Sequence, residues 1–495
     1  MKGRSKSPGP SQKAEKGEGK AEEKANATDK KAEAKFEPPP RPAGLRGTLL
    51  KMYGMLAAGL IFFALVGENL KHPVSDGKFE KKDGTIIDIG DFDASELGPH
   101  PKCHPHFEEH LLVDQWVKNK AAPKEGPFPV GHPDNPEWLE KSDLQMKKKS
   151  AETRFQWEGL QPNLHLLFLA TLCVIIGAKH GVWMFTEPAE TRQASQVLQS
   201  EDAYWFPIMG SCTLFGLFVV LKYFGTDYIK LAITCFIVMM CAFGIGTNVD
   251  HITALVRNKC MKPLFRIPYF DQDVTVMEIL GSLVGASMAV AFVFTKNWIV
   301  NNVFGVSFSI LGIKTIGISS YKTGAIMLVG LFFYDVFWVF GSKSVFGSNV
   351  MVSVAMGVEA PIKLMFPRGM GGCGNLQHSM LGLGDIVVPG LFIAFMAKWD
   401  AVKIGQKAST SFVYLNAIMV AYVLSLITTV AIMLFFNAAQ PALLYIVPYV
   451  LVASAGVALQ RGEFKELWAY YIPDETAEAE KNIENEKKKE EKKES

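Results

Sequence analysis

Paired cysteines are absent from this sequence. Seven cysteines in 495 residues show no paired spacing, so no disulfide framework is implied. Five of them (Cys173, Cys212, Cys235, Cys241 and Cys260) lie in or beside apolar runs, where cysteine packs as a small hydrophobe. Charge is also scarce, at 20% of residues, and the net +2 decides little because the local charge blocks matter more. No internal repeat is visible. What the chain does have is apolar: 49% of residues are hydrophobic, gathered in runs of the length (about 20 residues) that reads as a membrane-spanning helix.

The runs and charge blocks divide the chain. Residues 1–47 are rich in Lys, Glu, Ala and Pro, with almost no large apolar side chains. They are expected to be a disordered cytosolic tail. Through Lys51 there are 13 basic residues against 7 acidic ones. An apolar run at 48–67 follows; its charged lead is too long for a signal peptide, so it reads as an uncleaved anchor. Residues 68–160 are polar and proline-containing, an expected lumenal insertion. Nine apolar segments then lie within 161–460, at Leu164–Phe185, Trp205–Tyr223, Tyr228–Val249, Val276–Thr295, Trp298–Ile318, Gly324–Gly341, Ser379–Lys398, Phe412–Phe436 and Pro441–Leu459. Residues 461–495 form a charged cytosolic tail. The expected class is all-α: a polytopic membrane bundle with a nine-helix core plus one additional N-terminal membrane helix. Basic residues in short loops (Arg257, Lys259, Lys262 and Arg266; Lys403 and Lys407) place those loops and the C-terminus in the cytosol. Lys343, Lys363 and Arg368 in the loop after the sixth segment count against that orientation.

Two apolar segments each carry an acid. One reads Tyr334-Asp335-Val336-Phe337-Trp338-Val339-Phe340-Gly341, the other Leu381-Gly382-Leu383-Gly384-Asp385-Ile386. A carboxylate near the centre of a membrane helix costs roughly 2.5–3.5 kcal/mol, so such residues face the bundle interior and are functional candidates by default. Neither has a Lys or Arg within one helical turn. Asp335 lies six residues before its expected helix end, and Asp385 six after its expected start at Ser379. In antiparallel helices both then sit about 9 Å from one membrane face and can meet. Two adjacent carboxyl groups cannot both ionise; one polarises a carbonyl while the other takes a proton from water, which is amide hydrolysis without a metal. Gly382 and Gly384 remove side chains beside Asp385, and Pro389 frees a backbone group downstream. Gln440, Pro441, Ala442 and Leu443 open the last helix and are expected to line a cavity beside the pair. The rival use of buried acids is a proton-coupled transporter or channel, for which repeats and broken helices are expected. A non-catalytic membrane scaffold ranks behind both.

Tyr334-Asp335, Leu381-Gly382-Leu383-Gly384-Asp385 and Gln440-Pro441-Ala442-Leu443 resemble the three signature motifs of the signal peptide peptidases, which are relatives of presenilin. Tyr334–Gly341 and Glu359–Leu364 extend the likeness, which covers about residues 160–470. The resemblance implies an intramembrane aspartyl protease of the endoplasmic reticulum, with Asp335 and Asp385 catalytic. Tyr334, Gly382, Leu383, Gly384, Gln440, Pro441, Ala442 and Leu443 would shape its substrate site. It implies as partners the lipid bilayer and transmembrane-helix substrates (remnant signal peptides and type II membrane proteins), with no cofactor and no nucleic acid. A homo-oligomer is compatible with it. The link of 37 residues between the two acid-bearing segments (342–378) and the orientation make presenilin itself the poorer match. The anchor and the 68–160 insertion have no counterpart in the resemblance.

Weaker signals remain. His100, Cys103, His104, His106 and His110 cluster without the spacing of a standard zinc finger. Asn26-Ala27-Thr28 has the form of a glycosylation sequon but falls in the expected cytosolic tail. Lys492 and Lys493 resemble a dilysine retrieval signal.

Overall fold

In the computed structural model, the structure describes residues 38–69, 78–80, 86–88, 160–188, 197–223, 227–257, 264–267, 272–342, 345, 361–370, 376–407, 409–436 and 440–473. The His/Cys cluster, the sequon and the final lysines lie outside these residues, as do most of 1–47 and 68–160. Ten long helices carry the described fold: α1 (Leu45–Asn69), α2 (Leu160–Phe185), α3 (Ser200–Tyr223), α4 (Asp227–Arg257), α5 (Val276–Thr295), α6 (Trp298–Thr315), α7 (Tyr321–Val336, continued by a π-helical turn at Phe337–Gly341), α8 (Gly384–Gly405), α9 (Val413–Phe436) and α10 (Leu443–Gln460). A short α11 (Phe464–Ala469) follows. Among the described residues, seven helices are long and apolar enough to cross a membrane.

Helix α8 is too charged to count by composition, with Asp385, Lys398, Asp400 and Lys403 along it, yet residues 389–401 are all buried. A helix buried all round is a central one, and α8 packs against α2, α6, α7, α9 and α10. Helices α4 and α5 meet through small residues. A methyl group at Gly285 would come within 2.6 Å of the Ala242 carbonyl, so only glycine lets the two backbones approach this closely.

Among the described residues, strands are short and few. β1 (Lys78–Glu80) pairs with β2 (Ile86–Asp88), β4 (Phe265–Ile267) with β5 (Gln272–Val274), and β7 (Lys363–Met370) with β8 (Leu376–Gly382), all antiparallel; β3 (Val197–Leu198) pairs in parallel with β6 (Gly317–Ile318). The hairpin corrects one expectation. Ser379–Gly382 is strand, not the first turn of a helix, and the helix begins at Gly384. A short apolar stretch satisfies strand and helix patterns alike, and two glycines in three residues favour the extended form.

Contacts at one end of the bundle tie α1 to the core. Arg41 lies over the Trp183 ring at 3.5 Å and pairs with Glu187, at the end of α2. Arg46 donates to the Leu255 and Val256 carbonyls at 2.9 and 2.5 Å, satisfying groups that the end of α4 leaves free. Leu45, Leu49, Met52 and Leu56 form a buried stripe at helical spacing. Tyr53 hydrogen-bonds His180 Nδ1 at 2.7 Å, and Phe63, at the far end, meets Phe366 of β7. The C-terminal stretch closes the same end as Arg41: Ile472 N–H donates to the Ser319 carbonyl at 2.7 Å, and Lys403 pairs with Glu466.

Candidate active site

The β7–β8 hairpin delivers Asp385. Its pairing runs from Met370↔Leu376 to Lys363↔Gly382, and Leu383 N–H extends it to the Ile362 carbonyl at 3.1 Å. Two side chains of α6 hold the outer edge of β7. Asn302 donates to the Met365 carbonyl at 2.6 Å and accepts its N–H at 2.8 Å, and Asn301 donates to the Lys363 carbonyl at 2.6 Å. Phe366 is fully buried, stacked on His165 at 4.4 Å and edge-on to Trp298 at 5.6 Å. The hairpin is thus fixed on α2 and α6, and Asp385 leaves it as the second residue of α8, half-buried.

Asp335 reaches the same place from α7. It is 3% exposed and sits where the α-helix passes into a π-helical turn, a form that recurs at functional sites. Its carboxylate accepts the Leu443 N–H at 3.1 Å. Leu443 is the first residue of α10, and the preceding Ala442 offers no side-chain cap. Asp335 therefore caps that helix from a distant part of the chain. Helix α7, which carries Asp335, packs against α8, which carries Asp385 in its first turn, and the two acids are near enough for the charge of one to bear on the other. Among the described residues, neither is paired with Lys or Arg.

Asp385 lies at the helix start rather than six residues inside it, because the strand occupies the residues read as its first turn. Around the pair, Pro441, Ala442 and Leu443 are buried, and Gln440 is half-buried, accepting from the Tyr445 hydroxyl at 3.4 Å. Leu383 is buried against α6 near Gly305. A methyl group at Gly384 would meet nothing within 4 Å, and one at Gly382 would touch only the Asp385 carboxylate, at 3.4 Å. Open space thus adjoins the acid. Tyr334 turns its ring to Trp338, 6.3 Å away, and to α3 at Gly210.

Three residues of this site were not marked by the sequence reading. Asn301 and Asn302 lie in an apolar run, where two adjacent amides demand polar partners, and that demand is the signal for them. Tyr422 of α9 donates its hydroxyl to the Asp385 main-chain carbonyl at 3.3 Å; no sequence pattern marks it. Among the described residues, no group of His, Cys, Asp and Glu is arranged to hold a metal ion.

Comparison with known proteins gives the following. The family model described as signal peptide peptidase matches residues 190–474. The signal peptide peptidase of Homo sapiens is 37% identical over 326 residues, 62% of this chain and 82% of that protein. Intramembrane protease 2 of Caenorhabditis elegans is 43% identical over 212 residues, 41% of this chain and 44% of its own length. A solved presenilin family intramembrane aspartate protease superposes with a TM-score of 0.38 at 17% identity, over 60% of this chain and 99% of its own; so loose a match carries no argument.

Proposed function

Because this chain belongs to the signal peptide peptidase family, we propose that Asp335 and Asp385 are the catalytic pair of its proteolytic reaction. The protein is a multi-pass membrane protein and an aspartic-type intramembrane endopeptidase that acts on transmembrane segments. One observation supports the assignment above the others. Two acids on helices that pack against one another, neither paired with a cation among the described residues, stand where open space adjoins one of them. In the reaction, the ionised carboxyl takes a proton from water as the water oxygen bonds to the scissile carbonyl carbon. The protonated partner gives its hydrogen to the carbonyl oxygen. The tetrahedral intermediate then collapses, the C–N bond breaks, and the amine leaves with a proton from the pair. One carboxylate, one carboxylic acid and one water suffice for this chemistry.

A helical substrate hides its peptide bonds in its own hydrogen bonds and must open to be cut. Strand β8 ends at Gly382, and among the described residues its pairing in a two-stranded sheet with β7 leaves one edge for an extended segment. Such a segment would run toward Asp385 over Gly382 and Gly384, with Tyr334, Leu383 and Gln440–Leu443 shaping the site. Remnant signal peptides and type II membrane segments are the substrates this reading favours, at the endoplasmic reticulum, with both charged tails cytosolic and the 68–160 insertion lumenal. Residues 161–460 would be the protease core and 48–67 the added anchor. Both acids lie on one chain, so a homo-oligomer would assemble complete sites. The transporter reading finds no support among the relatives.

Purified protein incubated with a defined type II transmembrane peptide, with products mapped by mass spectrometry, tests the assignment. Asp335→Asn and Asp385→Asn should each abolish cleavage while the melting temperature is retained. Wild-type cleavage by either variant rejects it.

A further inference from the structure

We infer that Tyr422 holds the Asp385 main chain in place of the hydrogen bond that Pro389 cannot make, and is thereby a positioning residue for the proteolytic reaction. In an α-helix the carbonyl of residue i accepts from the N–H of residue i+4. For Asp385 that partner is Pro389, inside α8, which has no N–H to give. The carbonyl of this acid is therefore left without its ladder partner beside the fully buried Tyr422, where an unpaired backbone group is costly. The Tyr422 hydroxyl donates to that oxygen at 3.3 Å. Tyr422 is fully buried in α9, so its ring is held by packing and its hydroxyl has a fixed address.

The consequence reaches the chemistry. Asp385 is the second residue of its helix, and a strand precedes it. The first turn of a helix has few internal bonds to fix it, and here one of those few is missing. The hydroxyl from α9 supplies a tether from outside the helix, at the residue whose carboxyl must face Asp335. A displacement of about 1 Å in a reacting group can cost about a hundredfold in rate, so a tether at this atom bears on kcat more than on binding. The inference rests on the reading of Asp385 as catalytic.

Four versions of the full-length purified protein test it: wild type, Tyr422→Phe, Pro389→Ala, and the double variant. Each is assayed for kcat and KM on one transmembrane peptide, with Asp385→Asn as control. Tyr422→Phe keeps the ring and loses only the hydroxyl. It should lower kcat about tenfold, the scale of one lost hydrogen bond at a reacting group, with KM within about twofold. Pro389→Ala restores an N–H four residues after Asp385. In that background the Tyr422→Phe change should cost no more than about twofold, because the carbonyl has regained its ladder donor. Where Pro389→Ala loosens the helix, Pro389→Val restores the same N–H while filling more of the ring's volume. An unchanged kcat in Tyr422→Phe overturns the inference. So does an equal loss in both backgrounds, which would give the hydroxyl some other role. Full cleavage by Asp385→Asn would instead remove the catalytic reading itself, and the inference with it.

Discussion

A single methyl group at Gly384 should separate activity from stability. An ideal Cβ at this position meets nothing within 4 Å, so Gly384→Ala strains no packing in the resting protein. Gly384 has no positive φ that a side chain would oppose, and it opens α8. Alanine there should be neutral or stabilising by up to about 1 kcal/mol, the helix-propensity difference. The space the methyl group enters is the space beside Asp385. If a substrate backbone passes through it, the methyl group lifts that backbone by about the 1 Å that costs about a hundredfold in rate. The paired measurement is thermal unfolding in detergent and kcat/KM on a transmembrane peptide. The expected result is an equal or higher melting temperature with kcat/KM reduced about a hundredfold. Full activity in Gly384→Ala would show that no substrate uses this space. A fall in melting temperature parallel to the loss of activity would show that the methyl group damages the fold, and the separation argued here would be lost.

Asn302→Ala strips the Met365 N–H and carbonyl of their partners on the outer edge of β7. It should cost about 1 kcal/mol per hydrogen bond in stability and lower kcat as the hairpin loosens. A reduced melting temperature with unaltered kcat would detach the hairpin from catalysis. Glu463 lies beyond the membrane-spanning part of α10. Burial alone would raise its pKa, but hydrogen bonds from the Arg461 guanidinium and the Tyr414 hydroxyl outweigh this and hold it below the ordinary glutamate range. A carboxylate with a depressed folded-state pKa stabilises fully above its unfolded value and loses that contribution as pH falls through the folded one. Stability should therefore fall on the acid side of the ordinary glutamate range, and Glu463→Gln should flatten that limb in a pH series of melting temperatures.

Helices were legible in this sequence because lipid leaves a long apolar run few alternatives. Each expected segment overlaps a helix, and Val276–Thr295 matches to the residue. The start of α8 was not legible. Ser379–Gly382 (Ser-Met-Leu-Gly) is apolar enough to extend a helix read by hydropathy alone, and what makes it the end of a strand is the partner at 363–370 together with the amides of α6. Those are long-range contacts, which periodicity does not encode. The acids themselves were legible because a carboxylate in an apolar run is expensive enough to need a reason. The partners of those acids were not. Leu443 presents its backbone N–H to Asp335, a group every residue but proline carries, so no residue type announces it. Pro389 announces a missing donor and says nothing of which side chain supplies one.

The electrostatics of the two acids explain why helix ends, and among the described residues no paired cation, adjoin them. An Arg or Lys beside two carboxyl groups would favour ionising both, and a doubly ionised pair has no acid to protonate the scissile carbonyl. Removing all positive charge would make even one carboxylate too costly in a dry interior. Helix N-termini lie between these extremes, each favouring a nearby negative charge by about 0.3–1 kcal/mol. Two converge here: α10 begins at Leu443, whose N–H reaches Asp335, and α8 carries Asp385 in its first turn. The partial charges of two helix ends can hold one negative charge without fixing two, and one shared proton is what hydrolysis by a carboxyl pair requires.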